Sequence, residues 1–291
     1  MRRTMIAAAM AAVAASAMPV LVAQRGAPPP AGPTPRLADG TPNLGRVGAE
    51  TGVWNVPWIR NMGLRIDKTE AGSDLPSAGG RVGLVGHDMA HDGSKLEPLV
   101  PFMPWSRAVY DYHVANESKY DPEGYCLPPG GPRMMATPYP MEILQLPEQK
   151  RIVMIFEGAT HIWREIYMDG RPHPSGDDLN PTYLGHSVGR WEGDTLVIDV
   201  VGFNEATWVD YSGHPHTDQL HVIEKLTRRN KNQLHYEVTI DDPGAYTRPW
   251  TSAWNLAWRP NAELAEYICQ ENNRYLIRLT DDFGQPLFRK H

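Results

Sequence analysis

Cysteine is nearly absent from this chain: Cys126 and Cys269 are the only two. Neither belongs to a CxxC pair, which excludes a cysteine zinc cluster and a thioredoxin-type redox centre. One intramolecular disulfide is the only internal pairing open to them, and two buried thiols in separate parts of the core are the alternative. Also missing are a GxGxxG turn after a strand, a Walker loop and an HExxH helix; no GxSxG nucleophile elbow is expected, although Gly185–Gly189 reads GHSVG. The three absences argue against nucleotide-dependent enzymes and zincin proteases, and with no serine in a recognisable triad context a serine hydrolase of the usual type is disfavoured. No internal repeat is found, and no run of basic residues. With 28 lysines and arginines against 34 aspartates and glutamates, the formal charge is −6. An acidic chain without a basic patch is a poor match for nucleic acid.

What is plentiful is proline and glycine, 27 and 26 residues, with 9 tryptophans. Spread between short apolar runs, they break helices and make turns, which favours many strands joined by structured loops. The first residues, MRRTMIAAAMAAVAASAMPVLVAQ, place two arginines before an alanine-rich apolar run and small residues. That pattern predicts a secretory signal peptide over residues 1–23, hence a periplasmic or secreted protein with no membrane span once it is cleaved. An uncleaved anchor helix is the alternative. Residues 24–51 open with QRGAPPPAGPTPR and are expected to form a proline-rich tether. Residues 52–291 are expected to form one domain, its chain irregular up to about Tyr125.

From Glu142 onward the pattern sharpens. Expected strands are Glu142–Leu146, Arg151–Glu157, His161–Asp169, Thr195–Phe203, Leu220–Arg228, Leu234–Asp241, Ser252–Trp258 and Leu264–Gln270. Short turn-rich connections, with no long amphipathic helix between them, imply antiparallel neighbours. A meander of this many strands must remove its edges by closing or stacking. The predicted fold class is therefore all-β, an antiparallel meander closed into a barrel with an irregular N-terminal elaboration; a sandwich is the alternative.

Long motifs carry a resemblance. TPRLADGTPNLGRVGAETGVW, CLPPGGPRMMATPYPMEILQLP, GHSVGRWEGDTLVIDVVGFNEATWVD, GHPHTDQLHVIEKLTRR and TIDDPGAYTRPW together resemble a large family of exported bacterial proteins of unassigned function. That resemblance implies no activity to carry over. The Gly52-Val53-Trp54 opening followed by a meander is also similar to lipocalins and other calycin barrels, in which a GxW opens the first strand.

Side chains alternate along a strand, so the phase of each residue can be read directly. Asp199 falls in phase with Thr195, Val197, Val201 and Phe203. Glu224 shares a side with Leu220, Val222 and Leu226, Arg164 with Ile162, Ile166 and Met168, and Glu157 with Val153 and Ile155. A lone ion in an apolar interior costs several kcal/mol, so such groups must pair, hydrogen-bond or reach water. One reading is a polar floor inside a barrel cavity, with Arg164 partnering the carboxylates. The other is a structural ion network, or strands whose outer face is apolar beneath a covering loop. Phase alone does not say which side is the lumen.

Histidines cluster near strand ends, among them His161, His173, His186, His214, His216 and His221. His214 and His216 form an HxH, but the intervening Pro215 and the distance to Glu224 fit a metal-binding strand poorly. A divalent metal there is the minority reading, and no cofactor is the expectation. Without metal, His216 and His186 are the preferred proton carriers, since imidazole titrates near neutrality. The residues expected to carry catalysis are Glu224, Asp199, Arg164, His216 and His186. Expected ligand contacts are Glu157, His161, Tyr167, Arg190, Trp191 and His221, with Trp191 able to stack on a flat compound and Arg190 to meet a carboxylate or hydroxyl. The expected activity is cofactor-independent acid/base chemistry of the lyase, dehydratase or isomerase type on a small hydroxylated or aromatic molecule. A non-catalytic lipocalin-like binding protein is the alternative.

Overall fold

A computed structural model describes residues 31–73, 89–116, 119–158, 162–271, 273 and 285. The predicted signal peptide and His161 lie outside the described residues. Among those described, nine strands close into a single barrel: β1 Gly52–Asn55, β2 Pro140–Leu146, β3 Arg151–Phe156, β4 Trp163–Tyr167, β5 His186–Glu192, β6 Thr195–Val201, β7 His221–Asn230, β8 Gln233–Asp241 and β9 Trp250–Pro260. Closure comes from β1 against β9, with Gly52 opposite Pro260 and Asn55 opposite Ala257. The all-β barrel expected from the sequence is the architecture observed.

Two differences from the expected meander matter. Strand β5 is not in the sequence-derived set, because Gly189 and Arg190 interrupt its apolar signal. Strand β5 also pairs with β4 in parallel, through only Ile166 opposite Ser187 and Tyr167 opposite Val188. A parallel neighbour cannot be reached by a tight turn. Residues 168–185 therefore run back along the barrel before β5 begins. The chain turns into β5 at Gly185, whose φ of 67° is open to glycine and whose added Cβ would lie 2.8 Å from the Val201 carbonyl. The expected strand Leu264–Gln270 is instead an irregular segment and turn, tied down by the Cys126–Cys269 disulfide across 143 residues. In the chain-entropy picture a crosslink of that span stabilises by about 5 kcal/mol.

The interior is filled by side chains. Trp54, Met141, Phe156, Ile198, Val222 and Trp254 are each at most 1% exposed. One end of the barrel carries short hairpins, such as the β5–β6 turn at Gly193 (φ 59°). The other end carries the long connections 56–139, 202–220 and 242–249. The first of these forms a cap that includes a single α-helix among the described residues, α1 Pro104–Ala115. A turn at Pro132–Met135 plugs the mouth, where the Met135 carbonyl accepts the Trp254 indole N–H at 2.8 Å.

Residues 31–51, read from the sequence as part of a tether, pack against the barrel. Leu44 is fully buried, and its carbonyl accepts the Trp54 indole N–H at 2.7 Å. Buried Arg228 of β7 holds this strip: its guanidinium donates to the carbonyls of Asn43 (2.5 Å), Gly45 (2.9 Å) and Lys231 (2.7 Å). It also lies 4.9 Å from the Trp54 ring centre. Burial lowers the Arg228 pKa to about 10, so the group remains charged at neutral pH. Proline content suggested a tether; a single planar cation meeting three carbonyls decided otherwise. Arg228→Met is expected to cost about 2–4 kcal/mol by chemical denaturation. It should also speed tryptic cleavage after Arg36 and Arg46 under native conditions.

Candidate functional site

The four ions singled out by phase divide between two faces. Arg164 and Glu224 point inward and are 5% and 1% exposed. Their side chains form a buried ion pair joining β4 to β7. Tyr236 of β8 donates its hydroxyl to the other Glu224 oxygen at 2.6 Å, and Arg164 Nε donates to Ser187 Oγ of β5 at 2.9 Å. Burial opposes charge on Arg164, but Glu224 more than offsets this and raises the Arg164 pKa. Burial and the Glu224 charge raise the Tyr236 pKa, so its hydroxyl keeps its proton. Asp199 and Glu157 lie on the outer face instead. Opposite Asp199 stand Val188 and Ile223, whereas the inward residues of β6 are Leu196, Ile198 and Val200. Glu157 follows the end of β3 and accepts the Ala265 N–H at 2.7 Å. The expected convergence of all four in one enclosed space is thus corrected: two form the inner pair, and two sit on the outside.

On that outside a second assembly forms. Tyr167, His186, Asp199 and His221 stand on the outer faces of the adjacent strands β4, β5, β6 and β7. The returning segment 168–185 lays His173 over them. Asp199 Oδ1 lies 3.1 Å from His173 Nε2 and 2.8 Å from His221 Nε2, and His173 Nδ1 lies 2.8 Å from His186 Nδ1. Tyr167 stacks on His186 at 5.2 Å, and the Arg171 guanidinium lies over the Tyr167 ring at 3.8 Å.

Hydrogen-bond logic assigns the protons of this chain. An ionised carboxylate only accepts, so His173 and His221 each present Nε2–H to Asp199. Neutral His173 then has a lone pair on Nδ1, and His186 must donate Nδ1–H to it. That leaves a lone pair on His186 Nε2, which takes no hydrogen bond from the described residues. Burial first, with the nearby Arg171 charge, holds His186 below its usual 6.5, and so in the base form at neutral pH.

His186 also lines a recess of about 540 Å³ in the barrel wall. It opens where β4 and the chain entering β5 splay apart ahead of their two-pair seam. Arg164 and Ser187 form part of its floor, and Trp163, Tyr167 and Tyr183 supply aromatic walls. Trp163 is 61% exposed, an unusual position for a large aromatic.

The other expected residues go elsewhere. Arg190 is exposed and donates to Glu192 at 2.8 Å, and Trp191 packs on the core, both on strand β5 toward the hairpin end. His216 is held by Thr207 Oγ1 at 2.9 Å and by the Thr217 carbonyl at 3.0 Å, and burial lowers its pKa. His214 Nδ1 meets Asp210 Oδ2 at 2.8 Å, its ring stacked on Phe102 at 5.4 Å and tilted against Tyr110 at 4.4 Å. The two rings of the HxH thus serve separate loop partners. No group of three or more histidine, cysteine, aspartate or glutamate side chains among the described residues could hold a metal ion. His173, Ser187 and Tyr236 were missed as site residues; His173 left a trace as one of the histidines near strand ends, and Tyr236 by falling in phase with Leu234, Val238 and Ile240.

Compared with protein-family profiles, with curated proteins and with solved structures, the chain matches none.

The inner pair has a stability signature distinct from catalysis. Glu224→Gln leaves the buried guanidinium unmatched and is expected to cost about 3–5 kcal/mol. The triple replacement Arg164→Met, Glu224→Leu, Tyr236→Phe should recover most of that loss, as read by urea unfolding of each variant.

Proposed function

We propose that the protein is an exported acid/base enzyme of the lyase, dehydratase or isomerase type. Its substrate would be a small hydroxylated or aromatic compound bound in the wall recess between β4 and β5. One arrangement carries the reading: a hydrogen-bonded line from Asp199 through His173 to His186 reaches an imidazole whose Nε2 meets no partner among the described residues, beside an aromatic-walled recess. Asp199 orients His173, His173 orients His186, and His186 acts as the base. When His186 Nε2 takes a proton from a carbon next to a carbonyl, the electron pair left behind can expel a neighbouring hydroxyl. That group leaves as water after the imidazolium returns a proton to it. Return of the proton to a different atom of the substrate gives isomerisation instead. Neither course changes the electron count, so no redox cofactor is required.

Export is part of the same reading. The arginine pair and apolar run at the start of the chain support it, as does the Cys126–Cys269 bond, which persists in an oxidising compartment. Exported bacterial proteins sharing the GHSVGRWEGDTLVID and CLPPGGPR motifs are the family this reading places it with. Arg164 and Glu224 hold the floor of the recess in this scheme and do not exchange protons with substrate.

The test incubates the protein with a mixture of small hydroxylated and phenolic compounds and follows both bound and altered species by mass spectrometry. A compound converted by wild type, with kcat lowered about 100-fold or more by His186→Gln at nearly unchanged KM, supports the reading. A compound bound but never altered overturns catalysis in favour of a binding protein. Without substrate, imidazole NMR should place the His186 midpoint below 6.5, as expected for a group whose charged form is disfavoured by burial. The acid limb of kcat/KM should fall at that same midpoint, because protonated His186 cannot act as base.

A further inference from the structure

A second and larger recess, of about 880 Å³, lies in the cap and shares no lining residue with the first. Its walls carry Trp58, Tyr139, Tyr211 and Tyr267. Trp58 meets Tyr211 edge-on at 5.6 Å, and the hydroxyls of Tyr139 and Tyr267 are 3.1 Å apart. Arg133, 1% exposed, lies within its lining and donates to both oxygens of Asp121 at 2.7 Å and to Glu123 Oε2 at 2.7 Å. That guanidinium is matched by two carboxylates, so it offers no surplus positive charge to a phosphate or carboxylate ligand. Glu271 and Asn273 add further polar groups on the side formed by the segment that follows β9.

We propose that this cap recess binds a neutral carbohydrate. The axial C–H face of a sugar ring is apolar and stacks on flat aromatic surfaces, while its hydroxyls both donate and accept. Aromatic walls with polar groups between them meet both needs, and with Arg60 and Arg133 set against Asp121, Glu123 and Glu271 the lining keeps a formal excess of negative charge, which disfavours anionic sugars by like-charge repulsion. The recess is large enough for more than one ring. One wall is fastened covalently: Cys269 lies in the lining and is bonded to Cys126, which brings Tyr267, Glu271 and Asn273 to the cap. Binding is therefore expected to depend on the oxidised state of that bond.

The test is binding of the intact protein to an array of neutral, sialylated and sulfated oligosaccharides, followed by titration calorimetry on the best neutral one. Retention of neutral oligosaccharides is expected, weakened about tenfold by Tyr267→Ala and again by Trp58→Ala. Reduction with dithiothreitol should abolish the binding while far-ultraviolet circular dichroism keeps the barrel signal. His186→Gln should leave it unchanged, which separates this site from the wall recess. Retention of only sulfated or sialylated chains, no retention at all, or binding indifferent to both Tyr267→Ala and reduction would each overturn the proposal. Should Trp58→Ala fail to fold, Glu271→Gln, an exposed position, serves in its place.

Discussion

The barrel has a thin seam where β4 meets β5, and a buried guanidinium holds that seam together. Only two residue pairs join those strands. From inside, Arg164 of β4 reaches Ser187 of β5 and Glu224 of β7, so one side chain spans the parallel step and ties it to the far side of the sheet. A cation can stay in such a place only with its charge matched and its donors used. Glu224 supplies the charge, and Tyr236 occupies the carboxylate oxygen that Arg164 leaves.

The histidine line and the wall recess both grow from this seam. A parallel neighbour forces the chain to travel the length of the barrel between β4 and β5, and that traverse carries His173 onto the outer face of β6. Splaying of the strands ahead of the seam opens the recess beside His186. The geometry is thus a topological product: were β4 and β5 antiparallel, a tight turn would join them, Asp199 would face solvent, and His173 would have no route to it.

Much of the strand content was legible because alternation is strong from Glu142 onward, and seven of the expected strands overlap observed ones. Inside and outside were not legible. Val197 is 1% exposed although it shares the outer phase of Asp199, so an apolar phase did not identify the lumen. The same ambiguity paired Glu224 correctly with Arg164 and wrongly added Asp199 and Glu157. The segment Leu264–Gln270 alternates well enough to suggest a strand, yet its place is set by a covalent bond and by Tyr139 and Glu157, contacts no local pattern encodes. The cap escaped the sequence for a related reason: its core residues, such as Met134 and Met135, are buried against the ends of strands far away along the chain and have no period of their own.

The strip at residues 31–51 has a consequence for how the chain assembles during synthesis. It leaves the ribosome early, but the guanidinium that grips Asn43 and Gly45 belongs to a residue 185 and 183 positions later. Strand β1 likewise waits for β9 before its second edge is covered. Neither border of the barrel can be secured until translation is nearly finished, so the early segments must be kept from rival partners in the meantime. A chain that crosses a membrane unfolded and folds on the far side would meet that requirement by delivering all its pieces before any of them settles.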